Sequence, residues 1–206
     1  GDTCSTILPG LVGAYASAAV DTDGSIWVAA YEDMGYEVDP EGTETQYLFG
    51  DLVVGKWDGT KVDWQVVDGI PPDAEEVDPF LYDITAFRYG ITESGDDVGL
   101  WTSIALDAGA PRVAYFDVKN RALKFTAANA GQWQTHTVEQ VTDGEAGRYA
   151  KLLYVDGKPV IAYMVVRPGA DGFAESAVRI AAGNTASPAS ESDWTYADAV
   201  VGAQTP

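Results

Sequence analysis

The chain is short of the residues that most enzyme chemistry needs. Its 206 residues include one histidine, His136, and one cysteine, Cys4. A zinc site of the usual kind needs several such ligands together. A Ser-His-Asp arrangement would rest on His136 alone, and strand alternation puts that residue on an outer, solvated edge. No glycine-rich phosphate loop opens a helix. Helical periodicity is missing too, with residues 73–82 the only stretch that leaves room for a short helical turn. No apolar run is long enough to span a bilayer, so membrane insertion is not expected. Cations are scarce: twelve Lys and Arg stand against thirty-two Asp and Glu, a formal charge of −20. Such a field repels nucleic acid and anionic membranes and suits cations or basic partners. Low lysine with abundant Thr, Gly, Asp and aromatics matches secreted bacterial proteins, so an extracellular or cell-surface location is expected.

What the chain has is a repeat. Three units open with glycine, one residue and an aromatic: Gly13-Ala-Tyr15, Gly99-Leu-Trp101 and Gly147-Arg-Tyr149. In each, an apolar strand runs to an aspartate in a turn (Asp21, Asp107, Asp156). A second strand runs to Ala-Tyr at Ala30-Tyr31, Ala114-Tyr115 and Ala162-Tyr163. Third strands follow at Leu52–Trp57, Ala122–Phe125 and Ala177–Ala181. A fourth carries Trp64, Trp133 or Trp194 near its start. Alternation in RVAYF puts Val113 and Tyr115 on one face and Ala114 and Phe116 on the other. Gly and Asp supply the turn chemistry.

Four short strands joined by tight turns make an antiparallel meander, which cannot bury both of its faces alone. Radial stacking of meanders buries them, with aromatics between neighbours. The expected fold is therefore all-β: a β-propeller of four-stranded blades, about three of them in this chain. Blade 1 is placed at 11–69, an inter-blade insertion at 70–97, blade 2 at 98–141 and blade 3 at 145–200. The pattern G-x-Y/W-x-S-x-A-x-D…P-x-V-A-Y-x-D…A-L-K-F…G-x-W…T-V resembles the degenerate propeller repeats of secreted and surface proteins in myxobacteria and related bacteria. That resemblance implies the fold and no activity. Asp21-Thr-Asp23-Gly24-Ser-Ile-Trp27 has the glycine-to-tryptophan spacing of a sialidase-type Asp box, but its aspartates fall at other offsets and in a different turn.

Three blades are fewer than closed propellers use, so other chains or further blades are expected to complete the ring. The chain's additional length lies in three connectors, 33–50, 70–97 and 167–175. In an up-and-down meander all three leave at the same end. They hold fifteen carboxylates, opposed by Arg88 and Arg167. Long loops on a rigid scaffold are where function collects. Tyr36, Tyr47, Tyr82, Arg88 and Tyr89 are the candidate ligand-binding residues. Asp78, Asp83, Asp96 and Asp97 are the candidate ligands for Ca2+, a hard cation that takes oxygen donors. The expected function is a non-catalytic binding or structural module acting through this acidic, aromatic face. The alternative is a carbohydrate-active protein, a lectin or a glycosidase using paired carboxylates, with a glycan as partner.

Overall fold

Alternating side chains and Asp-Gly turns produce antiparallel strands along the described chain. The structure, a computed structural model, describes residues 6–8, 11–33, 36–38, 44–46, 50–74, 88, 91, 93–170 and 172–202, with only the backbone for 6–8, 11, 36–38 and 44–46. Three four-stranded antiparallel sheets account for most of it. The first orders β2 (Leu11–Val20), β3 (Ile26–Asp33), β6 (Gly50–Trp57) and β7 (Val62–Asp68) side by side. The second is β8 (Val98–Asp107), β9 (Ala110–Asp117), β10 (Ala122–Asn129) and β11 (Gln132–Gln140). The third is β12 (Glu145–Val155), β13 (Lys158–Pro168), β14 (Ala174–Gly183) and β15 (Trp194–Val201). A small sheet joins β1 (Thr6–Leu8), β4 (Tyr36–Val38) and β5 (Glu44–Gln46) in the order β1-β4-β5. One 3-10 turn, Glu191–Asp193, is the only helical element among the described residues.

Successive sheets share cores. Ala29, Leu52 and Val54 of the first pack with Val98, Ile104, Val113 and Tyr115 of the second. Ala114, Leu123, Phe125 and Val138 of the second pack with Leu152, Ile161, Tyr163 and Trp194 of the third. The middle sheet is thus buried on both faces.

The Gly-x-aromatic opening has a backbone consequence. Gly13, Gly99 and Gly147 adopt φ of 119°, 106° and 117°. Tyr15, Trp101 and Tyr149 follow with φ of 54°, 52° and 59°. Left-handed backbone is awkward for an aromatic residue and costs roughly 1–2 kcal/mol at each position. Pairing with the second strand is interrupted at all three places. Just past the interruptions in β8 and β12, main-chain groups of the arriving strand bond the preceding sheet. The Ile104 N–H donates to Ser17 Oγ at 2.9 Å, and the Leu152 N–H donates to Ser103 Oγ at 2.8 Å. Thr102 Oγ1 donates to the Tyr15 carbonyl at 2.5 Å. An edge strand that would otherwise expose these donors is tied to its neighbour.

Register corrects one expectation. Ser17 lies opposite Ala29, Ser103 opposite Ala114 and Lys151 opposite Ala162. The counterpart of Tyr115 and Tyr163 in the first sheet is therefore Ala30, and Tyr31 corresponds to Phe116. The repeated Ala-Tyr is offset by one residue in the first unit, which turns Tyr31 to the other face.

The glycines separate two costs. A Cβ on Gly99 would sit 2.9 Å from Leu52 Cα and 3.1 Å from the Asp51 carbonyl oxygen, whereas one on Gly13 would meet nothing within 4 Å. Both share the strained φ. Gly99→Ala is expected to lose about 1–3 kcal/mol more than Gly13→Ala, read as a larger drop in Tm. Equal losses would show that close approach to the first sheet is not what Gly99 serves.

Candidate functional site

The junctions between sheets are built by the same three groups twice. Tyr115 on β9 donates its hydroxyl to Asp68 at the end of β7, at 2.6 Å, and Lys124 on β10 donates to the same carboxylate. Tyr163 on β13 donates to Glu139 on β11, and Arg179 on β14 joins it there. Lys124 is the cross-strand partner of Tyr115, and Arg179 of Tyr163. Asp68 lies opposite Leu52, and Glu139 opposite the equivalent Leu123. Each arriving sheet therefore brings a tyrosine and a cation to a carboxylate on the last strand of the sheet before it. Burial, with the neighbouring carboxylate, holds both phenols far above their ordinary range, so they remain donors at any working pH.

The two ends of the stack differ. In the first sheet the tyrosine–cation pair is replaced by Ala30 and Val53, which are cross-strand partners and fully buried. In the third sheet the carboxylate position, opposite Val178, is Val200. Lys151 replaces the accepting serine. Leu153, Val155, Val178 and Val200 are exposed there.

Connectors meet at one end of the stack. Lys119, between β9 and β10, lies 2.7 Å from Asp96, between β7 and β8. The Gly50 N–H, where the 33–50 connector returns, donates to Asp97 at 3.2 Å. A shallow cleft of about 280 Å³ opens there, lined by residues that include Asp68, Gly69, Pro71, Ser94, Asp96 and Lys119. The β2–β3 and β8–β9 turns meet elsewhere, with Gly109 beside Asp21.

The expected site residues divide as follows. Tyr47, Tyr82, Tyr89, Asp78 and Asp83 lie outside the described residues, and Tyr36 is described by its backbone only, paired with Gln46 and Leu8. Asp96 and Asp97 turn to different partners. Asp96 accepts from Lys119 and from Asn120 Nδ2, and Asp97 accepts from the Tyr31 hydroxyl at 3.0 Å. Among the described residues no group of three or more Asp, Glu, His or Cys is arranged to hold a metal ion. Arg88 is fully buried, with Nε donating to Asp51 Oδ2 at 2.5 Å and Nη1 to the Glu93 carbonyl at 2.7 Å.

Arg88 belongs to an acid pair that sequence reading missed. Glu32 and Asp51 are direct cross-strand neighbours, both buried on the face of the first sheet turned away from the second. Like charges directly opposite each other repel. Arg88 neutralises Asp51, while Glu32 Oε2 has no hydrogen-bond partner among the described residues. Burial first, then the Asp51 charge, pushes the Glu32 carboxyl up to about 8 despite Arg88. Asp51 is raised by burial to about 6, with Arg88 pulling it back. Near neutral pH the pair thus holds one proton, on Glu32.

His136 is also placed differently from expectation. It is half-buried at the second junction, where its Nε2 accepts from Trp194 Nε1 at 3.0 Å. Burial lowers its pKa.

The remaining feature is a row of aromatic rings on the first strands. Tyr15 and Trp101 lie 5.4 Å apart between centroids, and Trp101 and Tyr149 lie 5.2 Å apart. Tyr15 is 44% exposed and Tyr149 58%. No protein-family model and no curated protein sequence matches the chain. Its chemistry is therefore read from its own residues.

The proton on Glu32 gives a signed prediction. An acid whose folded pKa is raised from 4.5 to about 8 stabilises fully below about pH 4.5. That contribution is lost as pH rises through about 8, because only the folded state holds the proton in between. Glu32→Gln is expected to flatten the fall in Tm between pH 5 and 8 and to raise Tm at pH 9 by about 4 °C or more. Parallel pH profiles for the two proteins would contradict the assignment.

Proposed function

We propose that the three sheets are successive blades of a β-propeller. The chain is a non-catalytic binding or structural module, extracellular or on a bacterial cell surface, and it works through the acidic, aromatic connectors at one end of its blades. The observation that carries this reading is the junction built twice from equivalent residues, Asp68–Tyr115–Lys124 and Glu139–Tyr163–Arg179. A unit that meets its neighbour by one rule at two successive boundaries is what radial stacking requires. The connectors add support. They bring Asp96 and Lys119 to a cleft that Asp68, Ile70 and Pro71 also line, and long loops on a rigid frame are the usual place for recognition. Calcium bound at these connectors would draw on Asp78 and Asp83, since Asp96 and Asp97 face protein donors.

Other chains or further blades complete the ring, and they meet the third sheet. Strands β12, β14 and β15 leave Leu153, Val155, Val178 and Val200 in water, and large apolar side chains exposed together on one sheet mark an interaction surface. Among the described residues no helix is long and apolar enough to cross a membrane. Native mass spectrometry and hydrophobic-dye binding test the reading together. The isolated chain is expected to self-associate with rising concentration or to bind dye strongly, and Val178→Asp with Val200→Asp is expected to abolish both. A chain that stays a dye-silent monomer at every concentration would contradict an open, unfinished blade face.

A further inference from the structure

We propose that Tyr15, Trp101 and Tyr149 form a binding row for a neutral saccharide chain. The row lies on β2, β8 and β12, each an edge strand of its sheet, and shares no residue with the cleft at the connectors. The inference is thus independent of what the connectors bind.

Three observations carry it. First, each ring is held in left-handed backbone, with φ between 52° and 59°, at the same position of three successive sheets. Strained backbone persists where the surroundings enforce it, and it clusters at ligand clamps. Second, burial does not account for the residues held there, because Tyr15 and Tyr149 keep about half their surface in water. A glycine or asparagine would adopt this backbone with less strain, so the rings themselves are what the position presents. Third, the rings are close but not coplanar. Tyr15 and Trp101 are inclined by 62°, and Trp101 and Tyr149 by 52°. Such a staircase fits a chain of flat units that turn relative to one another, as linked pyranose rings do.

The local charges narrow the ligand. Arg148 lies over Trp101 at 5.4 Å and over Phe116 at 5.8 Å, and its guanidinium is held by Glu145. A cationic ligand would meet the Arg148 charge beside this indole. The chain's −20 charge repels polyanions. What remains are neutral ligands with apolar C–H faces and hydroxyls, for which the tyrosine hydroxyls, Arg148 and Glu145 supply hydrogen-bond partners.

The intact chain, titrated with cellohexaose, chitohexaose and maltohexaose, tests the row by tryptophan emission and calorimetry. At least one hexasaccharide is expected to bind with Kd between about 10 μM and 1 mM. Trp101→Ala should weaken binding about tenfold or more, and Trp101→Phe, which keeps a ring, by less. Because Trp101 is half-buried, Tyr149→Ala provides a second arm at a more exposed position. It should leave the melting curve intact and weaken binding by about threefold or more. Absence of heat and of emission change with all three sugars would overturn the proposal. So would sugar binding that Tyr149→Ala and Trp101→Ala both leave unchanged, or tighter binding of a lysine hexapeptide than of any sugar.

Discussion

A carboxylate shut between two packed sheets is stable only if donors meet it from the opposite side, and this constraint organises the protein. Asp68 and Glu139 are each met by a tyrosine and a cation from the next sheet. Unpaired, Glu139 would destabilise its junction by several kcal/mol, and Asp68, which keeps some contact with the cleft, by less; paired, each fixes which strand stands opposite which. The hydrophobic clusters on either side hold the sheets together without selecting a register. The clamp supplies that selection, and it does so with short polar contacts that a shifted sheet could not make. His136 and Trp194 add a neutral contact at the second junction.

The bulged first strands serve the same end by another route. Left-handed backbone at Tyr15, Trp101 and Tyr149 interrupts the ladder. The next N–H groups then reach serines of the sheet behind. Edge strands thereby become attachment points rather than exposed edges. The device stops at the third sheet, where Lys151 and Val200 replace the serine and the carboxylate. The first sheet lacks only the tyrosine–cation half, since Ala30, Val53 and the Glu32–Asp51–Arg88 group occupy its outward face. The middle sheet alone carries both halves of the junction.

Much of this architecture was legible in the sequence. The three four-stranded sheets follow from alternation, from turns such as Asp156-Gly157, and from the spacing of Gly13, Gly99 and Gly147. Four things were not. The Ala-Tyr pair looked equivalent in all units, yet only cross-strand register shows that Tyr31 faces the other way. The tyrosine partners were invisible because Asp68 and Glu139 belong to other sheets, and an abundance of acids hides the two that matter. Arg88 looked like a surface cation in an acidic loop. Its partner, Asp51, lies 37 residues away, a separation no local pattern reports. His136 was misplaced for a related reason: alternation gives the face of a strand, not what covers that face.

The functional reading inherits this structure. If the junction clamps align the sheets, the connectors gather at one end and the aromatic rings form a row along the first strands. Both consequences depend on the clamp acting as a unit rather than as separate surface contacts. A double-mutant cycle on the second junction measures this directly, with Glu139→Gln, Tyr163→Phe and the double variant unfolded in urea. The account predicts a coupling energy of about 1 kcal/mol or more between the two positions. Additivity within about 0.3 kcal/mol would contradict it.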